Sequence, residues 1–402
     1  MTDSGGCTNN PERHVAQCPV TLSHHAAFAA GIPHTLFAKL RRTTPVCWHE
    51  TQGEPGFWAI FRYRDIVSIS TDTSGFSSAQ GVFVEDIASG RGIPGAVITS
   101  DPPEHTHLRA HLNGWFHAGT INKIEPWLRE QARLTMSAAR ARGDTEFVYD
   151  MAARLPLLTI CEILGVPEAD RDHMLELGDA VVHARDDETL ACAMGAIGDY
   201  GLRLSAPSSG IAASPLVASL RQSLGQSDSE FAGQFAQLLV AGNETTRTLL
   251  SNIILELCAA PALFAELKAH PDRLPIAIEE FLRWTSPIYY MRRTARADHV
   301  LGGEHIRAGD SVIMYYASAN RDEEIFSDPD TLDIARRPNP HLAFGVGRHN
   351  CLGAQLARIE TRVFLEELFA HFDGVALTGT PSRMPSNIVN GWASIPLHLT
   401  PA

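Results

Sequence analysis

The chain has no apolar run long enough to cross a membrane. Its longest apolar stretches, such as Ala26 to Pro33 and Leu155 to Pro167, are short or broken by polar residues, which excludes a transmembrane anchor. Positive charge is scarce: 33 Lys and Arg stand against 46 Asp and Glu, and the net charge of -13 disfavours nucleic acid as a main partner. Cysteine is sparse and irregular. Cys7, Cys18, Cys47, Cys161, Cys192, Cys258 and Cys351 are an odd number without repeating spacing, which argues against a disulfide framework or a structural zinc site and suits a reducing compartment. Repeats and low-complexity tracts are absent. The polar segment Met1 to Gln17 lacks the basic-then-apolar order of an export signal, so residues 1–20 are expected to form a loose arm on a cytoplasmic protein.

What remains is long and apolar enough for a large core, with 402 residues of which 44% are hydrophobic. No linker divides residues 21–402, so one domain is expected. Aromatic and β-branched residues around Gln52-Gly53-Glu54-Pro55-Gly56 predict a small sheet near the N-terminus. From Ile121 to Leu267 the apolar spacing is three and four, which predicts helices. After Pro287, turns at Gly302-Gly303 and Gly309-Asp310 flank short strands. The fold class is mainly α with small β-sheets.

Two stretches carry chemistry. In the first, glycine-rich backbone from His341 leads Cys351 to the start of a helical pattern, Leu352, Leu356, Ile359, Val363. Unpaired N–H groups and the positive end of the helix dipole there are expected to lower the thiol pKa. Such a sulfur serves as a redox or nucleophilic thiol, as the nucleophile of a phosphatase loop, or as an axial ligand to haem iron; a packed core cysteine is the plainer alternative. A Cys-x5-Arg phosphatase loop would need arginine at position 357, which is Ala357, and no second cysteine stands close enough for a redox pair.

The second stretch lies in a long helical pattern. Ser227-Asp-Ser-Glu230 is a capping box opening a run to about Cys258, roughly 45 Å of helix at 1.5 Å per residue. At its centre stands Ala241-Gly242-Asn243-Glu244-Thr245-Thr246-Arg247. Polar groups in so central a helix need a reason. Either Gly242 admits a neighbouring element and the Glu-Thr pair faces solvent, or the segment forms a groove in which Glu244 and Thr245 hold water.

The run Phe344-Gly-x-Gly-x-His349-x-Cys351-x-Gly353-x-x-Leu-Ala-Arg358 resembles the haem-ligand loop of the cytochrome P450 family, and Ala241 to Thr246 resembles the oxygen-activating segment of the same family. Glu280-x-x-Arg283 with Arg336 matches a structural charge triad that fixes the cysteine loop. The resemblance runs from about Trp58 to Ile395 and is weakest between Val182 and Pro215. It implies the cytochrome P450 fold with haem b as cofactor. Cys351 would be the iron ligand, shielded by Phe344, and His105, Arg109, Arg293 and His349 would hold the haem propionates. Ala241 and Gly242 would lie against the cofactor, with Gly242 making room for oxygen, Thr245 hydrogen-bonding it and Glu244 passing protons inward.

The same resemblance implies a monooxygenase that inserts one oxygen atom of O2 into a hydrophobic small molecule. The candidate lining residues, Phe83, Val84, Val97, Ile98, Leu238, Ile288, Tyr289, Met291, Ile388 and Val389, are nearly all apolar and favour a terpenoid, steroid or branched lipid. Electrons are expected from a ferredoxin and an NAD(P)H-dependent ferredoxin reductase, docking near Arg348 and Arg358. A peroxide-using relative and a haem protein without turnover are the alternatives, and the Glu244-Thr245 pair weighs against both.

Overall fold

The computed structural model describes residues 15–19, 22–51, 54–184, 186–207, 214–224 and 227–402. Helix Asp228–Ala259 is its axis, 32 residues long. It begins where the capping box places it: the Ser227 side chain accepts from the Glu230 N–H, and Asp228 and Glu230 put negative charge at the positive end of the dipole. Phe231, Phe235, Leu239, Leu249, Leu250, Ile253, Ile254 and Leu257 are all buried, because helices pack around most of its circumference. Those neighbours include Arg154–Leu164, Arg171–His183, Asp187–Ser205 and Leu274–Thr285. Burial of such side chains is worth about 1.5–3 kcal/mol each.

The N-terminal hairpin pairs Val46–Thr51 with Glu54–Ile60 and is one edge of a five-stranded sheet. Ser311–Met314 joins Glu54–Ile60 in parallel, then Met291–Ala295 and Phe76–Ser77 follow antiparallel. A three-stranded sheet gathers Asp144–Glu146, Pro396–Pro401 and Phe372–Leu377. The expected loose arm falls largely outside the described residues, but its described part is tied down. Trp48 N–H donates to the Ala16 carbonyl at 2.7 Å and Cys18 N–H to the Trp48 carbonyl at 2.7 Å, so the arm adds to the sheet edge there.

A buried charge cluster joins distant parts of the chain. Glu280 and Arg283, three residues apart on helix Leu274–Thr285, are both fully buried and pair at 2.7 Å. Arg336 adds Nε at 3.1 Å to Glu280 Oε2, and the Asp333 N–H and Asn339 Nδ2 also donate to that carboxylate. Arg283 spends its remaining donors on the carbonyls of Asn320, Pro329 and Thr331. This network clamps residues 320–339, the approach to the cysteine loop, although Asn339 Oδ1 is buried without a partner among the described residues.

Candidate functional site

The loop before Cys351 is shaped by two glycines. Gly345 and Gly347 have φ of 66° and 77°, a region that disfavours side chains, and a Cβ on Gly347 would stand 2.6 Å from the Ser70 carbonyl oxygen. The loop is thereby pressed onto helix Tyr63–Thr71. Cys351 N–H donates to the Phe344 carbonyl at 2.8 Å, and Asn350 Nδ2 donates to the Gly345 carbonyl at 3.0 Å. Helix Ala354–His371 starts three residues beyond the cysteine, with Gly353 at its N-cap.

The expected fall in thiol pKa is corrected here: burial pushes the Cys351 thiol up, and the Gly353 N–H, Arg109 and Arg358 only partly oppose this. Cys351 nevertheless keeps exposed surface. A side chain enclosed by protein yet presenting surface borders an internal hollow.

A second interior surface lies at Ala241. That residue is exposed although it stands midway along a helix packed on its other sides, and Thr245, one turn on, is half-buried. Thr245 Oγ1 donates to the Ala241 carbonyl at 3.1 Å. Gly242 points elsewhere: a Cβ there would meet Ile160 of helix Arg154–Leu164 at 3.0–3.2 Å. The expected oxygen-side vacancy is corrected to a close helix–helix approach. Glu244 is buried, and burial raises its carboxyl pKa while Arg247 opposes the rise. Its carboxylate takes a short ion pair from Arg247 and a hydrogen bond from Thr248 Oγ1 at 3.3 Å.

Four nitrogen-bearing side chains gather near the cysteine loop. His105 and Arg109 are one turn apart on helix Glu104–Phe116, the His105 and His349 rings lie 4.3 Å apart, and Arg293 reaches in from strand Met291–Ala295. Burial, then Arg293 and His105, push His349 down to about 3. Burial and Arg109 likewise lower His105. Among the described residues both ring nitrogens of buried His105 lack partners, and Arg293, also buried, donates only to the Arg292 carbonyl. Arg109 donates to Asn113 and His349 meets the Ser78 hydroxyl at 3.2 Å. Asp101, whose charge reaches the histidines, is itself held by Ser77, Ser78 and Arg296. Among the described residues no carboxylate pairs with any of the four, so the cluster is a buried demand for anionic acceptors.

The expected pocket residues divide. Phe83, Ile98, Ile288, Met291, Ile388 and Val389 are half-buried. Four are corrected to core. Tyr289, 1% exposed, stacks on Phe28 at 4.7 Å, while Val84, Val97 and Leu238 pack into hydrophobic clusters. Arg358 is also corrected as a free docking cation: Glu279 grips it at 2.6 and 2.8 Å, and its guanidinium lies 4.6 Å from the Phe344 ring centroid. Arg348 remains exposed. Nearby, Asn113, Phe116, His117, Ala118, Leu352 and Gln355 line a depression of about 300 Å³.

Residues 216–396 match the cytochrome P450 family. A putative cytochrome P450 of Mycobacterium tuberculosis is 37% identical over 386 residues, covering 90% of this chain and 92% of its own length. The chain belongs to the cytochrome P450 family. A methyl-branched lipid omega-hydroxylase of the same organism is 36% identical over 384 residues, with 90% of each chain covered. A Mycobacterium marinum cytochrome P450 solved in complex with pseudoionone superposes with a TM-score of 0.85 at 31% identity, covering 97% of this chain and all of that one.

Cytochromes P450 are haem b monooxygenases that use redox partners, hydrophobic substrates and O2, and the residues here fit that cofactor. Haem brings two carboxylates, the acceptors that His105, Arg109, Arg293 and His349 lack. Its iron takes a thiolate, which Cys351, a residue with exposed surface, would supply. Among the described residues no single helix is long and apolar enough to cross a membrane.

Three participants escape a sequence reading. Asp179, on helix Arg171–His183, pairs with Arg247 at 2.6 Å, and nothing local announces a contact across 68 residues. Glu279 precedes the matched Glu280 and is masked by it. Glu360 is buried on the cysteine helix, where burial pushes its carboxyl to about 8 against hydrogen bonds from Thr159 and Thr246. The spacing of Glu244 and Arg247, three apart on one helix, was a readable signal for their pairing.

Proposed function

We propose that this cytochrome P450 receives electrons from a ferredoxin, itself reduced by an NAD(P)H-dependent reductase, and inserts one oxygen atom of O2 into a terpenoid, steroid or branched lipid. Bound haem b would supply the activation of O2, with Cys351 as the ligand that donates electron density to iron. The reading rests on Thr245. Its hydroxyl stands on the exposed side of the long helix next to a buried carboxyl group, Glu244, whose pKa burial raises against the pull of Arg247. A hydroxyl that now donates to the Ala241 carbonyl can turn to donate into the hollow, and Glu244 can replace the proton it gives up. Neither ligand storage nor peroxide use needs that arrangement.

The half-buried apolar side chains Phe83, Ile98, Ile288, Met291, Ile388 and Val389 support a hydrophobic substrate, as do the relatives that act on a methyl-branched lipid or bind pseudoionone. Exposed Arg348 beside the cysteine loop supports an acidic electron donor, in a contact that salt would weaken.

The first test is the absorption spectrum of the reduced protein under carbon monoxide. A strongly red-shifted band is expected from thiolate-ligated haem, and a colourless protein or an unshifted band overturns the site. The second is turnover under 18O2 with a ferredoxin and its reductase. One labelled oxygen atom in the product is expected, and unlabelled product overturns the monooxygenase reading.

A further inference from the structure

We infer that Gln237 presents a hydrogen-bond donor to the substrate, so that this otherwise apolar hollow selects molecules carrying an oxygen acceptor about two helical turns from Thr245. The inference deepens the proposed function and rests on the hollow beside Thr245 being the oxidation site.

Gln234 is completely buried on helix Asp228–Ala259. Its Oε1 lies 2.7 Å from the Val97 backbone nitrogen. That nitrogen carries a hydrogen and can only donate, so the amide atom facing it must be oxygen, and the other end of Gln234 is an NH2 group. This Nε2 stands 2.9 Å from the Gln237 amide. A donor there demands oxygen, so Gln237 turns its Oε1 to Gln234 and its own Nε2 the opposite way. Two linked amides are thus oriented by one backbone N–H, and the chain of donors ends at Gln237 Nε2. Among the described residues that group has no partner, and it is not sealed from contact as a buried orphan would be.

Helical phase says where it lies. Gln237 precedes exposed Ala241 by four residues and half-buried Thr245 by eight, so all three share one face, with Thr245 about 12 Å along the axis. The other faces are occupied: Gly242 abuts Ile160, Gly201 of helix Asp187–Ser205 admits Phe235, and a Cβ on Gly233 would meet the Pro94 carbonyl at 2.3 Å. Residues 93–97 therefore roof the helix up to Gln234, and Gln237 is the first polar side chain beyond that roof toward Thr245. A half-buried amide with an unspent N–H at the edge of an apolar hollow favours a ligand that supplies an acceptor, a carbonyl or hydroxyl oxygen, and penalises one that leaves it dry.

The test uses the ferric holoenzyme and iron-coordinating probes: 1-phenylimidazole, its three acetylphenyl analogues and its three hydroxyphenyl analogues, titrated by the absorbance shift of the haem. In the wild type at least one acetyl analogue is expected to bind about tenfold more tightly than the parent. Gln237→Leu should erase that gain. Gln237→Glu keeps an oxygen for Gln234 and replaces the outward donor with an acceptor, so it should lose the acetyl gain and acquire one for a hydroxyphenyl analogue. Acetyl gains that are absent in the wild type, or equal in all three proteins, overturn the inference while leaving the oxidation site intact. Failure of every probe to shift the spectrum overturns the site itself, and the inference with it.

Discussion

Arg247 Nη1 lies 2.6 Å from Asp179 Oδ1, and the same guanidinium grips Glu244, so one buried cation joins Glu244 on the long helix to a helix 68 residues earlier in the chain. Burial works against the Arg247 charge, and the two carboxylates overcome it and hold its pKa above the ordinary value. Glu244 is nearly sealed while Asp179 keeps 23% of its side-chain surface, so the ion chain runs from the interior toward solvent.

Replacing Arg247 with Met should cost about 3–5 kcal/mol of stability, because it strands two carboxylates, one of them buried. Asp179→Asn should cost less, since Glu244 keeps its partner. Denaturant unfolding of the holoprotein measures both, and equal losses would refute the ordering.

Thr245→Ala removes the hydroxyl but leaves the helix and the Ala241 carbonyl in place. Product formed per NAD(P)H consumed should fall by about tenfold or more, with the CO spectrum unchanged. Unaltered coupling would remove Thr245 from proton delivery.

Arg293 and His105 are offered as partners for haem carboxylates, so Arg293→Leu and His105→Leu should release haem faster. An increase of about tenfold in the rate of haem transfer to a competing apoprotein is expected for Arg293→Leu, which loses a charge-assisted partner. The folded apoprotein should gain stability from the same change, because a desolvated cation disappears. Loss of a purely structural arginine would instead lower the stability of the apoprotein.

Glu360 gives stability a pH dependence. Its folded pKa of about 8 lies above the ordinary 4.5, so between these values the folded chain holds a proton that the unfolded chain has released. Stability then falls as pH rises through this window and stays low above it. Glu360→Gln should melt close to the wild type near pH 4.5 and progressively above it up to pH 8, as followed by Tm of the holoprotein. Parallel Tm profiles would reject a buried neutral acid.

How much of this was legible depended on whether the relevant physics was local. The capping box at Ser227, the helical period beyond it and the glycines before Cys351 are short-range signals, and the fold places each where the sequence does. The matched Glu280, Arg283 and Arg336 also come together as expected. Gly242 misled because a missing side chain reads the same whether it faces a ligand or a helix, and Ile160 stands 82 residues away. Tyr289 misled because apolar character does not separate a pocket wall from a core, and its stacking on Phe28 is a tertiary fact. The cysteine pKa went the other way because burial, invisible in a local sequence, outweighs a helix start that lies three residues farther on.

The Glu280 clamp has a consequence for how the enzyme is made. Its donors and acceptors are all supplied by the polypeptide, and Gly347 lets the cysteine loop sit close against the Ser70 backbone. Protein groups alone therefore fix the cysteine side, whereas Arg109 and Arg293, which have no carboxylate partner among the described residues, would gain counter-charges only from a bound cofactor. Cofactor insertion would then neutralise one wall of a receptacle whose other wall the chain itself has already set.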